Sequence, residues 1–129
     1  MDFQFDNERP IYLQLADALR RQIVAGQFQP GERLSSVRDL ALQAKVNPNT
    51  MQKALSELES AGLIFTERTN GKFVTSDSFA IEKARRALAK SHARRYLCEM
   101  QSIGLSPVDA AQYLTKVTEH PAAKEVNDP

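Results

Sequence analysis

Apolar residues recur at helical spacing in successive stretches of this chain, and one short stretch rich in β-formers interrupts them. Ile11, Leu15, Leu19 and Ile23 fall on one helix face behind Pro10, whose missing N–H costs nothing at a helix start. Gly26 supplies the stop. Gln29-Pro30-Gly31 places proline and glycine at the centre of a type II turn, and Glu32–Leu34 reads as a very short strand. Ser36 with Asp39 three residues on has the form of a capping box and opens a short helix, Val37–Ala44. After a turn through Lys45, Asn47 is a strong N-cap, Pro48 suits the first helical position, and Val46 can staple onto Met51. Met51, Ala54, Leu55 and Leu58 make the inward stripe of this helix, which Gly62 ends. Leu63–Thr69 and Lys72–Thr75 are rich in Ile, Phe, Thr and Val, and Asn70-Gly71 between them predicts a hairpin closed by that pair.

Two short helices around a tight turn, followed by a two-stranded ribbon, are the parts of a winged helix-turn-helix. Thr75-Ser76-Asp77-Ser78 is a polar break and sets the expected boundary, with one domain at 1–77 and a helical segment at 78–129. Beyond it, Ile81, Ala84, Leu88, Tyr96, Leu97, Met100 and Ile103 recur at roughly helical spacing up to Gly104. Ser106-Pro107-Val108-Asp109 caps a second helix carrying Ala111, Leu114 and Val117, and the tail after His120-Pro121 is expected to fray. The predicted fold class is mainly α with a small β-hairpin: a winged helix-turn-helix and then a short two-helix dimerisation segment. Two amphipathic helices cannot enclose a drug-sized cavity of ~300–1,000 Å³ and keep a core of their own. Their stripes therefore call for a partner, and a second copy of the chain is the simplest one. The expected homodimer face is Ala84, Leu88, Tyr96, Leu97, Met100, Leu114 and Val117; the other reading packs these helices back on the first helix of the same chain.

Composition narrows the function classes. No apolar run approaches the roughly 18 residues of a membrane span, and the N-terminus MDFQFDNERP is acidic and polar. With neither anchor nor signal peptide in view, the expected compartment is the cytoplasm. The single cysteine, Cys98, cannot form an intramolecular disulfide, in keeping with a reducing environment. It reads as a small buried hydrophobe, with redox sensing, were it exposed near a dimer axis, as the minor alternative. No catalytic residues, metal ligands or cofactor are expected: the two histidines, His92 and His120, are far apart, no Cys/His/Asp cluster has ligand spacing, and no glycine-rich loop cradles phosphate. The net charge is only +1, and residues 1–77 hold nine Lys/Arg against ten Asp/Glu. A nucleic-acid binder usually shows a basic footprint, so any basic face must come from placement, with Arg38, Lys45, Lys53, Arg68 and Lys72 as its candidates.

From Pro10 to Thr75 the chain resembles the DNA-binding domain of the GntR family of bacterial transcription regulators. The resemblance is carried by Pro10-Ile11-Tyr12, Gln14-Leu15, Pro30-Gly31-Glu32-Arg33-Leu34, Ser36-Val37-Arg38-Asp39-Leu40-Ala41, Val46-Asn47-Pro48-Asn49-Thr50, Ala54-Leu55, Leu58-Glu59, Gly62-Leu63-Ile64 and Gly71-Lys72-Phe73-Val74. The Asn-Pro-Asn-Thr start of the third helix and the short C-terminal part with Gly104-Leu105-Ser106-Pro107 are similar to the YtrA-like subfamily. Relatives commonly have proline where this chain has Ser35, a glycine-rich wing tip in place of Thr69-Asn70, and DNA-contacting arginines at the positions of Pro48 and Gln52.

The resemblance implies a regulator, expected to be a repressor, that binds double-stranded operator DNA as a homodimer. In this subfamily the target is often a nearby operon for an ABC transporter or envelope stress. An unidentified small-molecule effector is a possible further partner, and a membrane is not. The expected DNA-binding residues are Arg38, Asn49, Thr50, Gln52, Lys53, Arg68, Asn70, Gly71 and Lys72. Asn49 and Gln52 can bond adenine bidentately, Lys53 favours guanine, and Ser56 lies on the same flank. Arg38 matches an arginine that contacts DNA in the family, with an ion pair to Asp39 or Glu32 as its other reading. Thr50 can donate to a phosphate or serve the helix cap. Arg68, Asn70, Gly71 and Lys72 can meet the backbone or minor groove, or can be a solvated hairpin tip. The rival function is a winged-helix protein-interaction adaptor, which acidic groups interspersed on the recognition face would favour.

Overall fold

Seven elements follow in the order α1 (Ile11–Val24), α2 (Val37–Ala44), α3 (Pro48–Ser60), β1 (Ile64–Glu67), β2 (Gly71–Val74), α4 (Ser78–Ser102) and α5 (Pro107–Glu119). This is a computed structural model, and it describes residues 3–119. The expected fraying after His120-Pro121 lies outside those residues. The chain divides into two compact units, Met1–Arg86 and Ala87–Pro129. The polar break at Thr75–Ser78 is where sheet gives way to helix: Asp77 Oδ1 accepts from the N–H groups of Phe79 and Ala80 and so caps α4. The first compact unit continues past that cap to Arg86, because Ile81 is buried and Arg85 donates from Nε (3.0 Å) and Nη2 (2.6 Å) to the Val24 carbonyl at the end of α1.

Local signals set the helices of the first unit. Ser36 Oγ accepts from Asp39 N–H at 3.1 Å to cap α2, and Asn47 Oδ1 accepts from Thr50 N–H at 2.9 Å to cap α3, with Pro48 in its first turn. Between them Lys45 adopts φ 60°, the left-handed turn that ends α2 and reverses the chain within three residues. α1 and α2 both pack on α3. Leu15, Leu19, Ile23, Leu40, Met51, Leu55, Leu58, Leu63 and Val74 form the core, each at most 3% exposed. Burying that much apolar surface is the main favourable term holding the three helices against their entropy.

The ribbon pairs antiparallel with Ile64 opposite Val74 and Glu67 opposite Gly71. A third strand contributes only through Arg33, which bridges Phe73, with Leu34 N–H donating to Lys72 O and Val74 N–H to Glu32 O. The hairpin differs from the expected Asn-Gly closure. Asn70 N–H bonds Glu67 O, so Arg68 and Thr69 are the central turn residues, and the positive φ of 101° falls on Gly71 alone. A two-residue type I′ turn needs φ above zero at both Asn70 and Gly71, and the strand register leaves the loop too long to require it.

In the second unit Ser106 Oγ caps α5 through Asp109 N–H, and Tyr96 OH donates to the Ala110 carbonyl at 2.6 Å. Ala110 is fully buried beneath that contact.

Candidate nucleic-acid interface

The inward stripe of α3 leaves its opposite flank to solvent. Met51, Ala54, Leu55 and Leu58 are completely buried, while Asn49, Gln52, Lys53 and Ser56 are exposed. With four positions pinned inside, helical geometry leaves these side chains no other direction. The first turn of α3 holds no acidic residue; Glu57 and Glu59 come only toward its end. Thr50 is half-buried, and the Asn47 cap uses its backbone N–H, leaving the hydroxyl outside that bond.

Arg38, in the first turn of α2, is exposed and makes no ion pair among the described residues. Glu32, one of its candidate partners, instead accepts from Gln29 N–H at 2.7 Å. Between the start of α2 and the wing lies a cleft of about 530 Å³ lined by the basic Arg33, Arg68 and Lys72 and the acidic Asp39 and Glu67, together with Ser35, Ser36, Thr66 and Gly71. Arg33 passes beside the wing turn: a Cβ on Gly71 would sit 3.4 Å from Arg33 Nε. The positive φ accounts for the glycine, since a Cβ at that distance from a flexible arginine side chain would be in ordinary contact.

Three of the expected residues also make contacts within the chain. Lys72, expected to reach a phosphate, is turned back toward α3, where Nζ donates to Thr66 Oγ1 at 2.8 Å and lies 3.5 Å from Glu59 Oε2; its side chain is only 14% exposed. Asn70 donates from Nδ2 to Glu67 Oε1 at 3.1 Å, so part of its hydrogen-bonding capacity serves the turn. Lys53 leans toward α1, with Nζ 5.8 Å from the centre of the Tyr12 ring, an approach compatible with a cation–π contact. Tyr12 and Arg33 thus join the face without having been singled out. Both stand in the quoted family motif, which was the available signal; neither has a spacing that marks it.

On the other unit, Leu97, Leu114 and Val117 are 37%, 53% and 56% exposed. Leu88 and Met100 there, and Ala84 at the end of the first unit, are half-buried by their own chain, and Tyr96 spends its hydroxyl on Ala110; Cys98, expected to be buried, is exposed. Ile103 and Val108, 70% and 67% exposed, were not in the expected set.

A recognition helix capped by Asn47, a preceding short helix and a three-residue reversal between them, beside an antiparallel wing, define a winged-helix DNA-binding protein. Comparison with known proteins gives the family. Residues 11–74 match the model of "Bacterial regulatory proteins, gntR family". The chain is 34% identical over 119 residues to the HTH-type regulator YhcF of Bacillus subtilis, covering 92% of this chain and 98% of that one. It is 26% identical to the repressor YtrA of the same organism, covering 92% of each. A GntR-family regulator from Listeria monocytogenes superposes with a TM-score of 0.80 at 36% identity, over 88% of this chain and 99% of that one. The chain therefore belongs to the GntR family of transcription regulators, in its YtrA-like branch, and these relatives are regulators and not enzymes. The DNA-binding domain of AraR, solved in complex with its operator, superposes on 57% of the chain with a TM-score of 0.51 at 28% identity. Among the described residues no helix is long and apolar enough to cross a membrane.

Proposed function

We propose that this regulator binds a palindromic operator as a homodimer and represses transcription from it, in the cytoplasm where that DNA lies. The observation that carries the reading is the outward flank of α3: Asn49, Gln52 and Lys53 are exposed, with no acidic residue in the first turn, and Arg38 on the helix before it has no ion-pair partner among the described residues. Asn49 and Gln52 read base edges, Lys53 and Thr50 support them, and Arg38 and Arg68 neutralise phosphates on either side of the groove. Asn70 and Gly71 bring the wing turn close to the sugar-phosphate backbone. The operator complex of the AraR domain supports the DNA partner, and the repressor YtrA supports the sign of regulation.

Dimerisation rests on the exposed Leu97, Leu114 and Val117. A two-fold pair presents two recognition helices to half-sites roughly one DNA turn apart. A small effector bound at or near that interface would act by favouring one spacing of the two helices over another. The test is fluorescence anisotropy with the promoter of the protein's own operon and a scrambled duplex, each at two salt concentrations. Preferential, salt-dependent binding to the promoter is the expected result. Equal weak binding to both duplexes removes sequence-specific regulation and leaves the adaptor reading.

A further inference from the structure

Three side chains from three elements meet where the wing lies against the recognition helix. Lys72 of β2 donates to the hydroxyl of Thr66 on β1; that hydroxyl donates to Glu59 Oε2 in the last turn of α3, and Lys72 Nζ lies 3.5 Å from the same oxygen. The Lys72 and Glu59 side chains are 14% and 29% exposed, so the pair is partly withdrawn from water. Thr66 and Lys72 face each other one pair in from Glu67 and Gly71, next to the turn. On the other edge of β2 the Leu34 N–H bonds the Lys72 carbonyl itself, and the Val74 N–H bonds the Glu32 carbonyl two residues further from the turn; neither reaches α3.

A hairpin of two four-residue strands has little stability of its own, so its ties to the helix set where its tip rests. Charge-assisted hydrogen bonds are directional as well as strong. We propose that Glu59, Thr66 and Lys72 form a clasp that fixes the wing against the recognition helix, and that Lys72 is a positioning residue for operator recognition and not a phosphate contact. The inference rests on the DNA-binding reading above. Reaching a phosphate would pull Lys72 out of the clasp and leave Glu59 half-buried without its counter-charge, an arrangement that disfavours itself. Keeping the clasp closed lets base contacts from Asn49 and Gln52 and wing contacts from Arg68 engage one duplex together, with no ordering cost at the moment of binding.

The two roles differ in what they do to salt dependence and to discrimination. Each neutralised phosphate contributes about 0.9 to the slope of log K against log salt. Positioning alters the ratio of operator to scrambled-duplex affinity, a ratio that a simple fall in the folded fraction leaves unchanged. In anisotropy titrations over a salt series, Lys72→Met and Glu59→Gln should each lower that ratio, by up to about fivefold for a partly exposed pair. The slope should move by much less than one phosphate's share, and Lys72→Arg should retain both quantities. Thr66→Val, which touches no charge, should lower the ratio too.

A slope reduced by about 0.9 in Lys72→Met at an unchanged ratio would overturn the clasp. So would Glu59→Gln binding both duplexes equally more tightly with a steeper slope. If the wild type itself does not prefer its operator, the regulator reading fails instead. The clasp is then read by amide hydrogen exchange: faster exchange across Ile64–Val74 in Glu59→Gln supports it, and unchanged exchange overturns it.

Discussion

Gln52 and Arg38 are both exposed and polar, yet their chemistry separates them. An amide on the recognition helix can satisfy a donor–acceptor pair on a base edge, whereas an unpaired guanidinium at the start of α2 suits any phosphate. Gln52→Ala is therefore expected to alter base preference, by ~1–3 kcal/mol at the base pair it reads. Arg38→Ala is expected to weaken operator and scrambled duplex together and to flatten the salt slope by about 0.9. Competition binding against single-base operator variants separates the two outcomes; near-wild-type behaviour of both variants would mean that the contact surface lies elsewhere. Lys72 shows how little a residue type says about its use. Its charge marks it for phosphate in the sequence, and only folding brings Glu59 and Thr66 within reach of its ammonium.

The recognition helix is thirteen residues long, short enough that its terminus matters. Asn47 accepts the Thr50 N–H and Pro48 sets the first turn, while the whole inward stripe is sealed. Asn47→Ala should cost ~1 kcal/mol of stability, and Leu55→Ala, at 0% exposed, ~2–5 kcal/mol. Urea denaturation followed by circular dichroism measures both, and a Leu55→Ala cost below that of Asn47→Ala would contradict the packing described. The helices were readable from sequence because capping and periodicity act within a few residues. The hairpin turn was not: Asn70-Gly71 satisfies the local rule, but the pairing of Glu67 with Gly71 moves the turn back to Arg68 and Thr69.

For the molecule as a whole, the open question is what covers the apolar residues of the C-terminal unit. Leu114 and Val117 stand more than half exposed on α5, which buries only Ala110. For the proposed homodimer, replacing both with glutamate should leave the helix content intact and shift the dimer to monomer in sedimentation velocity. Operator affinity should fall further than half-site affinity, since the link between two binding events is lost. A dimer that persists in the double variant would place the interface on other residues. Tyr96 is not expected to contribute in the same way, because its hydroxyl already joins α4 to α5 within one chain.

Caps, stripes and glycine stops act between neighbours a few positions apart, so the helices, the existence of a wing and the outward flank of α3 followed from residue order. The family resemblance followed from it as well, since those same residues carry the motif. Contacts between residues distant in the chain obey no such local rule. The withdrawal of Lys72 to α3, the approach of Lys53 to Tyr12, the passage of Arg33 beside Gly71 and the extension of the first unit to Arg86 all arose from three-dimensional packing. Charge and hydrogen bonding depend on distance in space, and only the folded chain sets that distance.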